Sequence, residues 1–243
     1  MPDYFLSDVH LRLDRPDRGR RLARLVDTLT SEDRVFGVGD LCDFWFASRE
    51  DRGQAERCPG LSALRAFQGR GGKVRILLGN HDGWLGPFYE SFFGVAIDPE
   101  PLRVESHGLR LRLEHGHHRK GKRVWKRWME GRTFLRAFRM LPERLARGLE
   151  QRLDSVNEAR KAESDRRMTE AYREFVGELA DTPDFAVFGH VHKMLYEPVG
   201  RTRLVVLGDW LRAASYLRID GEGARLVKES EESSVSKPVR GLT

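Results

Sequence analysis

Five short stretches place carboxylates, imidazoles and an amide directly after apolar runs: SDVH (7–10), GVGDLCD (37–43), GNHD (79–82), EHGHH (114–118) and FGHVHK (188–193). These are the donor types that divalent ions of intermediate hardness take from a protein. In Asp8-x-His10 and His190-x-His192, alternate side chains can point the same way and reach one centre. A carboxylate shared by two ions would hold them roughly 3.5–4 Å apart, the spacing of two-metal hydrolases. Each stretch alone has a plainer reading. Asn80 in N-H-D-G is a common turn former, and a DxH pair is often a solvated loop pair. Together, each at the end of an apolar strand, they read as one polar centre.

Such a centre needs strands that end at a common edge. The first part of the chain supplies them. YFLSDVH, RVFGVGD and KVRILLGNHD read as strands with trailing loops, separated by helical patterns at RGRRLARLVDTL and LSALRAFQG. That β-α-β-α-β rhythm predicts a layered α/β domain with its active groups at carboxyl ends of strands. Further strands are expected at 102–106 and 109–114, then at DFAVFGH, RLVVLGD, ASYLRI and ARLVKE. Between them, 120–180 is expected to be a helical lid insertion. Phe138, Leu141, Leu145, Leu149, Leu153 and Val156 recur at helical spacing, as do Met168, Tyr172, Phe175 and Leu179. The expected organisation is one domain over 1–228 carrying this lid, with a polar, disordered tail over 229–243.

At 243 residues the chain can bury a full core, and it holds no apolar run long enough for a signal peptide or a membrane span. Its two cysteines, Cys42 and Cys58, form no disulfide framework, so a cytoplasmic setting is expected.

The order DxH, GDxxD, GNH, H and GHxH resembles the calcineurin-like metallophosphoesterases, and the resemblance spans Asp8 to His192. It implies two packed mixed β-sheets flanked by helices, a four-layer α/β/β/α fold. It also implies that Asp8, His10 and His192 bind one metal and that Asn80, His115 and His190 bind the other. Asp40 would bridge them. Two ions held so activate a water for in-line attack on phosphorus and neutralise charge on the phosphoryl oxygens. Manganese is the first expectation, with iron or zinc as alternatives. His81 would donate a hydrogen bond or proton to the leaving oxygen, with Asp82 orienting it, while Asp43 would steady a ligand from behind.

Within that family GDLCDFW lacks the arginine of phosphoprotein phosphatases. It looks instead like the bacterial UDP-2,3-diacylglucosamine pyrophosphohydrolases of lipid A synthesis, as do VVLGDWLRAASYLRI and the lid run FLRAFRMLPERLARGLEQRLDSVNEARK. GNHD stands where those enzymes typically have GNRD, and HGHHRKGK where they have HGD and an acidic stretch. Residues 119–147 hold eleven Lys or Arg against two Glu in a chain of net charge +6, so the remainder is net acidic. A run of this kind is usually a solvated helix face. Here aromatic residues interleave with the charges. Arg119, Lys122, Arg123, Trp125, Lys126 and Trp128 are therefore the candidate lid contacts, suited to a nucleotide-linked lipid and peripheral contact with the inner membrane surface. Nucleic acid is the other anionic partner that such a lid would suit, in a nuclease or phosphodiesterase. A reading of another class is a non-enzymatic scaffold that keeps the fold.

Overall fold

A computed structural model describes residues 1–43, 53–119, 163–211 and 213–229, and the backbone of 230 and 233–238. The chain runs β1 (Asp3–Leu6), α1 (Pro16–Asp27), β2 (Arg34–Val38), α2 (Pro59–Gly69), β3 (Lys73–Leu77), α3 (Gly86–Phe93), β4 (Leu102–Ser106) and β5 (Leu109–Glu114). A helix over 163–177, α4, follows. The remainder is β6 (Phe185–Phe188), β7 (Leu195–Val199), β8 (Thr202–Val206), β9 (Ala214–Asp220), β10 (Gly223–Ser230) and β11 (Ser233–Pro238).

These strands form two mixed sheets, ordered β11-β10-β9-β1-β2-β3 and β4-β5-β6-β8-β7. In the first, β1, β2 and β3 are parallel while β9 to β11 are antiparallel additions. In the second, β5, β6 and β8 are parallel. The period-two alternation of the strands builds three apolar layers. Phe5, Phe36, Val187 and Val205 fill the space between the sheets. Tyr4, Leu6, Val35 and Ile76 face the other way, against Leu22, Val26, Leu64 and Phe67 of α1 and α2. Ala186, Phe188, Leu204 and Val206 pack under Met168, Tyr172 and Val176 of α4. The expected four-layer α/β/β/α order is thus observed.

Three features differ from expectation. The edge strand β7 and the aromatic helix α3 were not anticipated. The tail expected to be unstructured from residue 229 contributes β11, paired antiparallel with β10 from Arg225↔Pro238 to Ser230↔Ser233. Edge pairing needs only backbone donors and acceptors, which a polar segment also carries. The helical pattern at 138–156, and with it most of the lid, lies outside the described residues. No helix among the described residues is long and apolar enough to cross a membrane.

Candidate metal centre

The parallel strands of both sheets end at one edge, and their trailing loops bring the five polar stretches together. The loop after β1 supplies Asp8 and His10, that after β2 Asp40 and Asp43, and that after β3 Asn80 and His81. The second sheet adds His115 after β5, and His190 and His192 after β6. The first two loops are laced by backbone bonds: Asp8 N–H to Gly39 O (3.2 Å), His10 N–H to Asp40 O (3.0 Å) and Leu11 N–H to Leu41 O (3.0 Å). This lacing holds a costly backbone. Asp8 (φ 51°), His10 (φ 49°), Asp40 (φ 53°) and His190 (φ 65°) all sit in the left-handed region, at a cost of order 1–3 kcal/mol each. Strain of this kind concentrates where side chains must be aimed at a ligand.

The glycines of the motifs are there for closeness of approach. A Cβ on Gly79 would lie 2.0 Å from Asp40 Oδ1, and one on Gly189 would lie 2.6 Å from Ser7 Oγ and 2.8 Å from Asp8 Oδ2. Any larger residue would push the loops apart.

Asp8, His10 and His192 present ligand atoms that lie within 4.8 Å of one another, and so do Asp40, His115 and His190. Asn80 Oδ1 lies 3.2 Å from His115 Nε2, which is also 3.2 Å from Asp40 Oδ2. Ring orientation is fixed from behind. His115 Nδ1 donates to Val38 O (3.0 Å), and His192 Nδ1 lies 3.0 Å from Asp209 Oδ2, so each leaves Nε2 for the centre. Asp8 Oδ2 accepts from Ser7 Oγ (2.5 Å) and from the His190 N–H (2.8 Å). Its Oδ1 has no hydrogen-bond partner though it is buried, and the same holds for His10 Nε2, 3.7 Å away. Leaving such atoms unmet costs about 1–3 kcal/mol each. A divalent cation satisfies an anionic oxygen and an imidazole lone pair together, so the donor set fits the metal chemistry that the motif order implied.

The charges agree. Burial, together with the charge of His81, pushes His10 down to about 4, which keeps its ring in the neutral, ligating form. For Asp40, burial favours the neutral acid, but His115 and His81 outweigh it and hold the carboxyl well below the usual range. His115 is raised to about 10, because Asp40 outweighs the effect of burial. An ion taken at its Nε2 must therefore displace a proton.

Two roles differ from expectation. Asp82 does not reach the His81 ring. It is fully buried and clamps the loops: Oδ1 accepts from Gly79 N–H (2.7 Å) and Asp40 N–H (3.2 Å), and Oδ2 from Leu41 N–H (2.8 Å) and Tyr89 Oη (2.8 Å). Burial and the nearby Asp40 charge lift its carboxyl to about 6. The partner of His81 is instead Asp43, whose Oδ1 lies 3.1 Å from His81 Nδ1. Burial lowers His81, but Asp40 and the Asp43 bond outweigh it and bring the ring to about 9. The His81 side chain keeps 40% of its surface open, so a substrate can reach it.

Asp209 was not anticipated as a site residue, although RLVVLGD repeats the strand-then-Gly-Asp pattern of RVFGVGD. His117 and His118 gather beside the centre with Glu100, whose Oε1 accepts the His115 N–H (2.5 Å). Arg119, expected as a lid contact, is tied to Glu114 and lies 3.3 Å from the Phe175 ring centroid, at the root of the basic segment. Lys122, Arg123, Trp125, Lys126 and Trp128 lie outside the described residues.

Comparison with known proteins agrees with this geometry. A family model described as calcineurin-like phosphoesterase matches residues 1–194. The UDP-2,3-diacylglucosamine hydrolase of Neisseria gonorrhoeae is 26% identical over 240 residues, covering 95% of this chain and 99% of its own. That of Aeromonas salmonicida is 28% identical over 235 residues, covering 89% of each. Among solved structures, the E. coli phosphoesterase Yfce aligns over 98% of both chains with a TM-score of 0.50 at 16% identity, a likeness of fold alone. Because the family match runs through every polar stretch from Asp8 to His192, the chain belongs to the calcineurin-like phosphoesterase family and is a metal-dependent hydrolase.

Proposed function

We propose that this hydrolase uses a dinuclear metal centre to cleave the pyrophosphate bond of a nucleotide-linked lipid, with UDP-2,3-diacylglucosamine as the named substrate and UMP and 2,3-diacylglucosamine 1-phosphate as products. The observation that carries the dinuclear reading is the presence of two adjoining donor groups, Asp8–His10–His192 and Asp40–His115–His190, each with ligand atoms within 4.8 Å of one another. Asp8, His10 and His192 would hold one ion and Asn80, His115 and His190 the other, with Asp40 placed to serve both. When bound, two such ions supply Lewis acidity and an activated water. The chain's own groups do the rest. Asp209 fixes the His192 ring and Val38 O the His115 ring. Asp43 holds His81 Nδ1, so Nε2 faces the leaving oxygen and can protonate it.

The named substrate is supported by relatives of that activity that align over nearly their whole length, and by the basic, aromatic segment after Arg119. That segment also supports contact with an anionic membrane surface.

One observation favours a second substrate class. A phosphate leaving group, with its second pKa about 6, departs without help. The His81–Asp43 pair is better matched to a sugar alkoxide, as in a phosphodiesterase or nuclease. A scaffold without activity has no use for either feature.

Purified protein with manganese should therefore be offered UDP-2,3-diacylglucosamine, bis(p-nitrophenyl) phosphate and single-stranded DNA in parallel. The expected result is turnover of the nucleotide-linked lipid with kcat/KM at least about 100-fold above that for the other two, a gap of about 2.7 kcal/mol in transition-state stabilisation. Preference for DNA would transfer the enzyme to the second class, and inertness toward all three with any divalent ion would contradict both.

A further inference from the structure

Behind the His81–Asp43 pair stand two further charges, Arg12 and Asp14, that the reaction outlined above does not use. Asp43 lies between two imidazoles, with Oδ1 3.1 Å from His81 Nδ1 and 3.9 Å from His10 Nδ1. Its Oδ2 lies 3.6 Å from Arg12 Nη1. Arg12 is gripped in turn by Asp14, whose two oxygens accept from Nε (2.9 Å) and Nη2 (3.0 Å). The Arg12 and Asp43 side chains are 10% and 14% exposed, so this contact is little screened by solvent. Register explains the meeting. The loops after β1 and β2 run parallel, with Leu11 bridged to Cys42 and Asp43 N–H donating to Leu11 O (3.0 Å), which sets Arg12 beside Asp43.

We propose that Arg12, anchored by Asp14, is a positioning residue for His81 and acts through Asp43; this rests on the reading of His81 as the donor to the leaving oxygen. A carboxylate free to rotate could turn toward either imidazole. One whose Oδ2 is drawn by the charge of Arg12, 3.6 Å away and itself forked onto Asp14, presents Oδ1 to His81 Nδ1 and fixes the ring with Nε2 toward the substrate. Lysine cannot replace this fork, because it lacks the planar two-point geometry that Asp14 engages.

The test compares two diesters of thymidine 5′-monophosphate that differ only in the leaving group, p-nitrophenolate or methoxide. Wild type, Arg12→Ala, His81→Ala and the double variant are assayed with manganese, and their metal content is measured. Arg12→Ala should slow the methyl ester about 10-fold or more in kcat, a part of the roughly 10²–10⁴-fold that a positioned proton donor supplies. It should leave KM and metal content unchanged and spare the p-nitrophenyl ester to within about threefold, because that group leaves without a proton. In the His81→Ala background the same change should add less than about twofold, because its route of action is gone.

Asp14→Asn, at a site 38% exposed, should act in the same direction by a smaller factor and serves as the readout where Arg12→Ala fails to fold. Equal losses on both esters, lost metal, or full additivity with His81→Ala would overturn the role of Arg12 while leaving the donor role of His81 standing. Unimpaired hydrolysis of the methyl ester by His81→Ala would overturn the donor role itself, and the role of Arg12 with it.

Discussion

Asp40→Ala is expected to abolish metal-dependent hydrolysis of an aryl phosphodiester, with kcat falling at least about 10³-fold. Asp40 is the carboxylate that lies between the two halves of the centre. Its Oδ2 is 3.2 Å from His115 Nε2, and its Oδ1 accepts the His81 N–H at 2.8 Å. It is 1% exposed, with His10, His81 and His115 all acting on its charge. On the proposed dinuclear reading, removing it would delete the shared ligand and the negative charge that makes a second cation tolerable beside the first. It also frees the His81 backbone. Asp40→Asn keeps the shape and loses the charge, so it should be nearly as inactive. The measurement is steady-state hydrolysis at saturating manganese, with circular dichroism to confirm the fold. An Asp40→Ala protein of wild-type activity would sink the assignment.

The largest effect on stability is expected at Asp82, two residues beyond a candidate ligand and without a place at the metals. Asp82→Ala strands the Gly79, Asp40 and Leu41 N–H groups and the Tyr89 hydroxyl in a fully buried pocket. Unmet buried donors cost about 1–3 kcal/mol each, and partial relaxation brings the expected total to about 3–5 kcal/mol. In a chain of this size that lowers Tm by about 10 °C. Asp82→Asn retains one acceptor oxygen and resembles the protonated acid that burial already favours, so it should lose roughly half as much. Chemical denaturation of the three proteins decides the matter. An Asp82→Ala loss below about 1 kcal/mol would show that Asp82 does not hold the loops together.

The two carboxylates mark where sequence reading stops. Asp82 is next to His81 in the chain, and that adjacency suggested the pair. In the folded loop the two side chains diverge, and Asp43 arrives from the neighbouring loop because Leu11 and Cys42 bridge in parallel. Partners set by loop register have no local signature. The left-handed backbone at Asp8, His10, Asp40 and His190 is likewise imposed by tertiary lacing.

For some elements the local code was sufficient. The strands expected at 102–106 and 109–114 are β4 and β5, joined by a His107-Gly108 turn with φ 50° and 77°, a two-residue hairpin that this dipeptide can adopt. β7 escaped because LYEPV contains Pro198, which argues against a central strand and is tolerated here at the sheet edge. The five polar stretches were legible as candidate donors because divalent ions accept few side-chain types, and their order through the family resemblance. Substrate recognition was less so, since the residues expected to carry it follow Arg119 and their chemistry is generic: cations among aromatics.

Diffraction at the manganese absorption edge, from crystals grown with excess manganese, tests the central claim most directly. Two ions per chain are predicted, about 3.5–4 Å apart, with Asp40 shared between them, Asp8, His10 and His192 on one side and Asn80, His115 and His190 on the other. A single ion, or none, at saturating manganese would contradict the dinuclear account.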